Sequence, residues 1–295
     1  MISEFELINL FKDIGSEYYK ENGVIIPPGD DCAILDLSDP LITSVDSSVI
    51  GVHFPKDANA NDIAYRSIAI ALSDLAAMGC KPRAFSLSVT SNEKNEGWYK
   101  DFSKATREIA DEFKISLIGG DFTKGPLNIN VIVYGTPYES KVLKRSGAKP
   151  GDYICISSEV GRAAKGLSDL LLKNNSKYID DYLRPKPKFE LGKSILEYAT
   201  ACIDTSDGLL ADLEKMLTAS ECGAIIELEL DDIPITTGID DINAGDDYDL
   251  CFTVPKLFYN NSHYKIGEVT SEKGIKFNSS KGYDVSIIGY EHFKK

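Results

Sequence analysis

The longest apolar stretch of the chain limits the folds that the sequence can adopt. It reads IAYRSIAIALSDLAAMG, and it is interrupted by Arg66 and Asp74, so it does not span a bilayer. Its length and apolar content instead predict a largely buried helix over residues 61–78. Such a helix needs a large core around it, which 295 residues with 43% apolar side chains can supply. The length suits one large domain or two of ordinary size, and we expect two.

The charge of the chain excludes some classes of partner. Lys and Arg number 32 against 46 Asp and Glu, which gives a formal net charge of −14. No basic surface is therefore available to neutralise a nucleic-acid backbone or an anionic membrane, and we expect neither partner.

The cysteines and the N-terminal residues indicate the cellular compartment. Six cysteines are spread singly without a C-x-x-C pair, which argues against both a disulfide framework and a thiolate zinc site. Ser3 and Glu6 form a capping-box pattern in an amphipathic stretch that lacks the basic region of a signal peptide. We therefore expect a cytoplasmic protein. Cys32 lies beside an acidic pair but has no histidine near it in sequence, which disfavours a nucleophilic role.

Strand and helix patterns alternate along the chain. In the first half, the patterns predict strands at 40–45, 84–90, 115–120 and 127–135, and helices at 61–78 and 97–113. In the second half, they predict strands at 153–157, 201–204 and 224–230, and helices at about 161–173, 188–200 and 208–220. The polar, Gly- and Pro-containing stretch KRSGAKPGD at 144–152 is the predicted boundary between domains at 1–143 and 150–295.

Acidic residues recur in the predicted loops. PPGDDCA at 27–33 and Gly245-Asp246-Asp247 repeat a Gly-Asp-Asp triplet, while Asp46, Asp121 and Asp204 are predicted to end strands or directly follow them. In open α/β sheets, ligands gather at the carboxyl ends of strands. Two structural alternatives stay open: Gly29-Asp30-Asp31 can be a plain turn, and Asp204, Ser206 and Asp207 can cap the following helix.

Asp74 is the acid that most strongly indicates a cation. Its predicted helix carries mostly Ala, Ile, Leu and Met one turn away, and an ionised carboxylate on such a face costs several kcal/mol unless it is compensated. Arg66 is a possible partner, although it lies eight residues away, about two turns. The candidate ligands are carboxylates and hydroxyls, which select Mg²⁺, Mn²⁺ or Ca²⁺ over zinc.

An acidic protein of this kind can bind a polyphosphate through bridging metal ions. The chain nevertheless lacks G-x-x-x-x-G-K-[ST] and G-x-G-x-x-G, and Asp121-Phe122-Thr123 has neither the kinase glycine nor an H-R-D partner. A nucleotide therefore has to bind in another way.

Seven motifs in order carry a family resemblance. They are GDDCA, SVDSSVIGVHF, AIALSDLAAMG, LIGGDFTKGPL, KRSGAKPGD, IDTSDGLLADL and AGDDYDLCFTVP. Together they resemble thiamine-monophosphate kinase, of the aminoimidazole ribonucleotide synthetase and selenophosphate synthetase superfamily. The resemblance implies an N-terminal α+β domain whose sheet pairs in a homodimer, followed by an α/β domain. The first domain would then bind ATP and Mg²⁺ and mediate dimerisation.

The resemblance also implies site residues. It implies as Mg²⁺ ligands Asp30, Ser44, Val45, Asp46, Asp74, Asp121, Asp204 and Asp207. The implied ATP contacts are Gly120, Asp121, Arg145 and Ser206, and the implied contacts to thiamine phosphate are His53, Asp246 and Tyr290. Apart from the resemblance, His53 would be an ordinary hydrogen-bonded loop residue and Arg145 a solvated charge.

Three positions depart from the pattern of the family. Val45 replaces a usual Thr and could offer only its carbonyl to a metal, Asp246 replaces a frequent Glu, and Arg162 interrupts a usual Gly-Asp-Ser.

The implied reaction is ATP-dependent phosphorylation of thiamine monophosphate to thiamine diphosphate by direct in-line transfer assisted by several Mg²⁺ ions. No general base is assigned, because a phosphate monoester is already largely anionic at pH 7. The alternatives are another ATP-dependent synthetase of the same superfamily, or a non-catalytic Mg²⁺ or nucleotide-binding module.

Overall fold

The computed structural model describes residues 4–227, 235–278, 286–290 and 292. The chain forms two compact units, one from residues 1–75 and 80–140 and the other from residues 76–79 and 141–295. The predicted boundary at 144–152 lies just inside the second unit. Residues 76–79 group with that unit because Ala77 packs in its core beside Leu143, and Gly79 contacts the side chain of Leu196.

A mixed four-stranded sheet forms the centre of the first unit. Its strands are β3 (Ile42–Val49), β4 (Cys80–Thr90), β5 (Ser116–Thr123) and β6 (Asn128–Pro137), in the order β3-β6-β4-β5. Only β4 and β5 run parallel; the other pairs are antiparallel. A separate short hairpin joins β1 (Val24–Ile26) to β2 (Ile34–Leu35). Strands β3 and β5 are therefore the two edges of the four-stranded sheet.

Helices α1 (Glu4–Phe11), α2 (Ala60–Ala77) and α3 (Glu96–Phe113) complete the first unit. The predicted buried helix is confirmed in α2, where Ile63, Ile68 and Leu72 are almost fully buried. In β6, the buried Val131 and Val133 alternate with the exposed Ile132. This two-residue period shows that one face of the sheet packs against the core while the other faces solvent.

The second unit contains a six-stranded sheet in the order β12-β9-β11-β7-β10-β8. These strands are β7 (Tyr153–Ile156), β8 (Ala201–Asp204), β9 (Gly223–Glu227), β10 (Leu250–Val254), β11 (Tyr264–Thr270) and β12 (Gly274–Asn278). Its helices are α4 (Arg162–Leu171), α5 (Tyr178–Leu183), α6 (Phe189–Ile195) and α7 (Leu209–Ala219). Leu210, Leu213 and Met216 of α7 pack into the core beside the sheet.

The observed elements correct several predicted bounds. Strand β3 continues to Val49, and β5 continues to Thr123, because both keep pairing with their neighbours through the acidic residues. Asp46 and Asp121 therefore lie within strands, whereas the sequence predicted Asp46 at a strand end and Asp121 just beyond one. The helix predicted at 188–200 ends at Ile195, and α5 was not predicted. The last residues of the strand predicted at 224–230, and Ser3 of the predicted capping box, fall outside the described residues.

No helix in the described part of the chain is both long and apolar enough to cross a membrane. All six cysteines are free, and five of them are buried.

Candidate active site

Two carboxylates of the first unit meet where β3 faces α2. Ser44 and Asp46 are two residues apart, so both side chains lie on the same face of the strand. The Ser44 hydroxyl donates a short hydrogen bond to Oδ2 of Asp74 from α2. Oδ2 of Asp46 is buried and has no hydrogen-bond partner among the described residues. These oxygens form a set of possible metal ligands that no cationic side chain among the described residues compensates.

The electrostatics of this group favour an external cation. Burial, followed by the neighbouring Asp74, raises the pKa of Asp46 to about 6. Within the residues that the structure describes, no Lys or Arg forms an ion pair with Asp46 or Asp74. The Nε of Arg66 donates a hydrogen bond to the His53 carbonyl at 3.1 Å. A Mg²⁺ ion fits the group, because hard oxygen ligands select it and it would neutralise both carboxylates.

A second acidic group lines a cavity of about 570 Å³ at the other edge of the sheet. Its polar residues include Asp30, Asp31, Gly120 and Asp121, and Phe11 of α1 and Leu117 of β5 contribute apolar walls. The backbone at Gly120 passes so close to β4 that a Cβ would lie 2.0 Å from the Leu87 carbonyl oxygen. Glycine is therefore required at this wall of the cavity.

The loop that carries Asp30 is itself a turn. Gly29 has a φ of 137°, which favours glycine, and the Asp31 N–H donates to Asp30 Oδ1 at 2.8 Å. The plain-turn alternative thus describes the backbone correctly, while the cavity gives the turn a surface on which a ligand can bind.

The two acidic groups of the first unit are separate within one chain. Asp46 is in register with Val131, then Leu87, then Gly120 across the four strands. Three strand spacings correspond to about 14 Å. Asp121 follows Gly120, so its side chain points to the opposite face from the side chain of Asp46. The described residues of one chain hold no cluster of three acidic, His or Cys side chains suited to a metal ion.

His53 has a defined tautomer. The Val49 N–H donates to its Nδ1 at 3.0 Å, so the proton of the neutral ring is on Nε2. The carbonyl of His53 accepts a hydrogen bond from Arg66, whose side chain is buried. In this tautomer Nε2 carries the proton of the neutral ring and can donate a hydrogen bond to an anionic ligand.

In the second unit, the loop after β8 is folded around Asp212. Asp204 ends β8 and is buried. The N–H groups of Ser206 and Asp207 both donate to Asp212 Oδ2 at 2.9 Å. The N-cap of α7 is Gly208, with a φ of 121° and no side-chain cap. The helix-cap alternative for Asp204, Ser206 and Asp207 is therefore wrong, because Asp212 inside the helix binds the loop instead.

Lys215 forms an ion pair with Asp207, one of the carboxylates that the family resemblance implied as a Mg²⁺ ligand. Lys215 Nζ lies 2.5 Å from Asp207 Oδ2 and 2.7 Å from Asp212 Oδ1. The side chain of Asp212 is almost fully buried, so this ammonium group compensates a carboxylate that has little access to water.

The loop that carries Asp246 pairs with the loop that carries Ser206. The Asp246 N–H donates to the Ser206 carbonyl at 2.9 Å, and the Tyr248 N–H donates to the Thr205 carbonyl at 2.8 Å. Asp246 and Tyr248 have φ values of 71° and 50°, so the loop bends sharply at both residues. The Tyr248 hydroxyl donates to Asp246 Oδ1 at 3.2 Å and orients that carboxylate.

The structure also brings Tyr290 to this loop. Its N–H donates to the Asp207 carbonyl at 3.1 Å, and its ring is 51% exposed. The preceding segment is fixed by Asn243, which donates to the Ser286 carbonyl and accepts from the Ile288 N–H. Ser206, Asp207, Asp246 and Tyr290 therefore lie in one region of the second unit.

Arg145 and Val45, which the family resemblance implied as ligand contacts, are both exposed. Arg145 is exposed in a loop whose preceding residue, Lys144, accepts a hydrogen bond from the Cys202 N–H of β8. The side chain of Val45 is 63% exposed and lies on the face of β3 opposite Ser44 and Asp46. Only the Val45 carbonyl could serve a metal.

Sequence reasoning missed three residues that organise these loops: Asp212, Lys215 and Asp249. It named Arg162 but did not predict its contact with Asp249. Asp212 and Lys215 lie three residues apart on α7, a spacing that puts them on one helical face and could have indicated an ion pair. Arg162 and Asp249 are 87 residues apart, and no sequence spacing indicates their contact.

Comparisons with known proteins agree with this architecture. A family model described as "AIR synthase related protein, N-terminal domain" matches residues 29–136. The thiamine-monophosphate kinase of Buchnera aphidicola subsp. Schizaphis graminum is 36% identical over an alignment that covers 99% of each chain. That of Haemophilus influenzae is 35% identical over 100% of this chain and 99% of its own.

Solved structures give the same result. The thiamine-monophosphate kinase of Stenotrophomonas maltophilia K279a has a TM-score of 0.84 at 31% identity, covering 94% of this chain and 97% of its own. AaThiL complexed with AMPPCP and TMP has a TM-score of 0.79 at 27% identity, covering 98% and 97%. The predicted fold class is confirmed. This chain belongs to the thiamine-monophosphate kinase family.

Proposed function

We propose that this protein transfers the γ-phosphoryl group of ATP to thiamine monophosphate and forms thiamine diphosphate. The single observation that carries the metal part of the proposal is the buried, unpartnered Oδ2 of Asp46 beside Asp74. Family membership, with relatives that match over nearly the whole chain, supports the choice of substrates.

In this proposal, each unit contributes oxygen ligands for several Mg²⁺ ions. The first unit offers Ser44, Asp46 and Asp74 at one edge of its sheet and Asp30 and Asp121 at the other, with Val45 available through its carbonyl. The second unit offers Asp204, whereas Asp207 would first have to leave Lys215. Bound Mg²⁺ would neutralise the polyphosphate and the charge that develops during transfer.

The nucleotide would use the glycine wall of the 570 Å³ cavity, at Gly120 and Asp121. It would also use two residues of the second unit, the exposed Arg145 and the partly buried Ser206. Thiamine phosphate would contact Asp246 and stack on the half-exposed ring of Tyr290. His53 would donate from Nε2 to its phosphate, which follows from the tautomer that Val49 fixes.

No residue of this set needs to act as a general base. A phosphate monoester has a second pKa near 6, so its attacking oxygen is already largely anionic at about pH 7. An alcohol acceptor would need its proton removed. The residues of the chain would therefore act by positioning the two phosphates and by holding the cations between them.

We further propose that the active unit is a homodimer. The two acidic groups of the first unit lie at opposite edge strands, about 14 Å apart by strand spacing, so one chain cannot place both on the same ion. If β3 of one copy lies beside β5 of a second copy, and β5 of the first beside β3 of the second, the edge strand that carries Asp46 lies next to the edge strand that carries Asp121 of the other copy. A two-fold axis would then create two such sites.

The activity is tested by a coupled assay of ADP release with ATP, Mg²⁺ and either thiamine monophosphate or thiamine as acceptor. We expect turnover that depends on thiamine monophosphate and on Mg²⁺, with kcat/KM rising through about pH 6 as the substrate ionises. Equal turnover of thiamine would contradict the mechanism, as would a rising limb well above pH 6 that is lost in His53→Gln.

The shared site is tested by mixing inactive copies. Asp46→Asn and Asp121→Asn chains carry different affinity tags and are co-expressed, and the mixed dimer is isolated through both tags. A shared site leaves one of two sites intact, so the mixed dimer should recover about half of the wild-type kcat. A mixed dimer as inactive as each parent dimer would show that each site belongs to one chain.

A further inference from the structure

The segment Gly245–Asp249, here called the acceptor loop, is attached at its C-terminal half to the start of α4. Asp247 Oδ2 accepts the Gly161 N–H at 2.6 Å, and Oδ1 accepts the Ala163 N–H at 2.9 Å. The carboxylate is buried and takes up the first N–H groups of the helix, which otherwise lack partners. The helix start and the acceptor loop therefore cannot separate without exposing these groups.

Arg162 makes the second attachment. Its Nη2 lies 2.5 Å from Asp249 Oδ2, and its Nη1 lies 2.6 Å from Asp181 of α5. Its Nε donates to the Glu159 carbonyl at 3.1 Å, so the guanidinium plane is held on three sides. The Arg162 side chain is only 20% exposed. These three contacts fix the orientation of the planar guanidinium. A group with a fixed orientation can in turn hold Asp249 in place.

Asp249 is the residue that Arg162 secures. It is buried, and its Oδ1 accepts hydrogen bonds from the Ser157 and Ser158 hydroxyls at 3.1 Å and contacts Lys188 Nζ at 2.9 Å. Its backbone carbonyl accepts the Thr205 N–H at 2.8 Å. Asp249 therefore ties the acceptor loop to the loop that carries Ser206.

The backbone of the acceptor loop is strained on both sides of Asp247. Asp246 and Tyr248 both have left-handed backbone conformations that non-glycine residues rarely adopt, and they persist only where the surroundings hold them. The surroundings here are the two attachments to α4 and the hydrogen bonds to Thr205 and Ser206. The direction of the Asp246 carboxylate thus depends on the attachments at Asp247 and Asp249 as well as on its own hydrogen bonds to Tyr248 and Ser206.

We infer that Arg162 is a positioning residue that holds the acceptor loop in the conformation in which Asp246 meets the acceptor substrate. Arg162 places a basic residue at the start of α4, opposite Asp249. The inference rests on the proposed function for the identity of the acceptor. The attachment itself is a property of the fold and can be measured without a substrate.

Three variants of α4 test the inference. Arg162→Gln removes the charge and the paired contacts, whereas Arg162→Lys keeps the charge but cannot bridge Asp249 and Asp181 with a planar fork. Lys165→Gln is the matched control, because it breaks the ion pair with Asp169 on the same helix and leaves the acceptor loop untouched.

The kinetic readout is the separate KM of each substrate. Because Arg162 holds Asp249 through a charge-assisted contact, Arg162→Gln should raise the KM for thiamine monophosphate about tenfold or more. The KM for ATP should rise by clearly less than that, because Gly120 and Asp121 lie in the other unit, while Ser206 is the proposed ATP contact that pairs with the acceptor loop. A tenfold change corresponds to about 1.4 kcal/mol. The KM of Arg162→Lys for thiamine monophosphate should lie between the values of wild type and Arg162→Gln. Lys165→Gln should have the KM values of wild type. Equal changes in both KM values, or none, would overturn the inference.

The second readout is independent of activity. Hydrogen exchange followed by mass spectrometry reports the N–H groups of Asp246 and Tyr248, which bond to Ser206 and Thr205. Arg162→Gln should accelerate their exchange about tenfold while β9 and β11 keep wild-type protection. If wild type does not phosphorylate thiamine monophosphate but exchange still responds, the proposed function fails and the attachment stands. Unchanged exchange at the acceptor loop would refute the attachment.

Discussion

The carboxylates of the first unit and those of the second unit are compensated in different ways. Asp46 and Asp74 lie side by side; the Ser44 hydroxyl donates to Asp74, and no cationic side chain in the described chain pairs with either carboxylate. Asp207 and Asp212 share Lys215, and Asp249 contacts both Arg162 and Lys188. Asp46 and Asp74 of the first unit are therefore left for an external cation, whereas Asp207, Asp212 and Asp249 of the second unit are neutralised by side chains of the chain itself.

This difference separates two roles that look identical in sequence. A buried carboxylate costs several kcal/mol unless something compensates it, so its partner reveals its use. Where the partner is Lys, Arg or a backbone N–H, the carboxylate holds a loop in place. Where the fold offers no cationic partner, a bound metal ion can compensate the charge of the carboxylate. The following four predictions test this contrast, from the largest expected effect to the smallest.

Asp46→Asn or Asp74→Asn should nearly abolish turnover. Each change removes a negative ligand from the proposed Mg²⁺ group, and we expect a loss of about 10³-fold in kcat, or about 4 kcal/mol of transition-state stabilisation. The measurement is ADP release at saturating Mg²⁺, with circular dichroism to confirm folding. Asp101→Asn, an exposed change on α3, is the control and should retain wild-type activity. Substantial activity in both site variants would refute the metal role.

Lys215→Met should destabilise the second unit. The change leaves the almost fully buried Asp212 without its cation, and because Lys215 is 40% exposed we reduce the expected cost to about 2 kcal/mol. Urea unfolding followed by fluorescence measures the free energy. Lys276→Met is the matched control: it breaks an exposed ion pair with Glu272 and should cost less than about 0.5 kcal/mol. Similar losses in both variants would remove the distinction between buried and exposed pairs.

Whereas Lys215→Met should destabilise the protein, Asp46→Asn should stabilise it when a chelator removes metal ions. The amide replaces a buried charge beside Asp74 and can donate a hydrogen bond to it, so we expect a gain of about 1–2 kcal/mol. Thermal unfolding in EDTA measures the gain. Mg²⁺ should then raise the Tm of wild type more than that of the variant. A loss of stability in EDTA would show that Asp46 is compensated within the fold.

Asp247 should make stability depend on pH. Burial is the main cause that raises the pKa of Asp247 to about 7, partly opposed by the N–H groups of Ala163 and Gly161. A raised folded-state pKa stabilises the fold below the unfolded value of 3.8, and this contribution declines as pH rises towards about 7. The decline cannot exceed about 1.4 kcal/mol per pH unit. The free energy of unfolding is compared at pH 5, 6, 7 and 8 with that of Asp247→Asn. Parallel curves for the two proteins would contradict the shift.

The sequence by itself determined the buried helix and the positions of the acids, and it predicted a domain boundary at a stretch that lies just inside the second unit. These features depend on local pattern: apolar residues spaced along α2, and Gly and Pro in KRSGAKPGD. It also predicted that Asp74 needs a partner, because its helical neighbours are apolar. Asp204 at the end of β8 was predicted correctly for the same reason, since a short apolar strand precedes it.

Only the tertiary structure decided which acids meet. The strand order β3-β6-β4-β5 puts Asp46 and Asp121 at opposite edges, and most strand pairs are antiparallel, so an argument from the ends of parallel strands could not place them. The attachment of Asp249 to Arg162, and of Asp247 to the start of α4, joins residues more than 80 positions apart. Charge compensation acts over a few ångströms in space, whatever the separation along the chain, and so it follows from the packing of the elements.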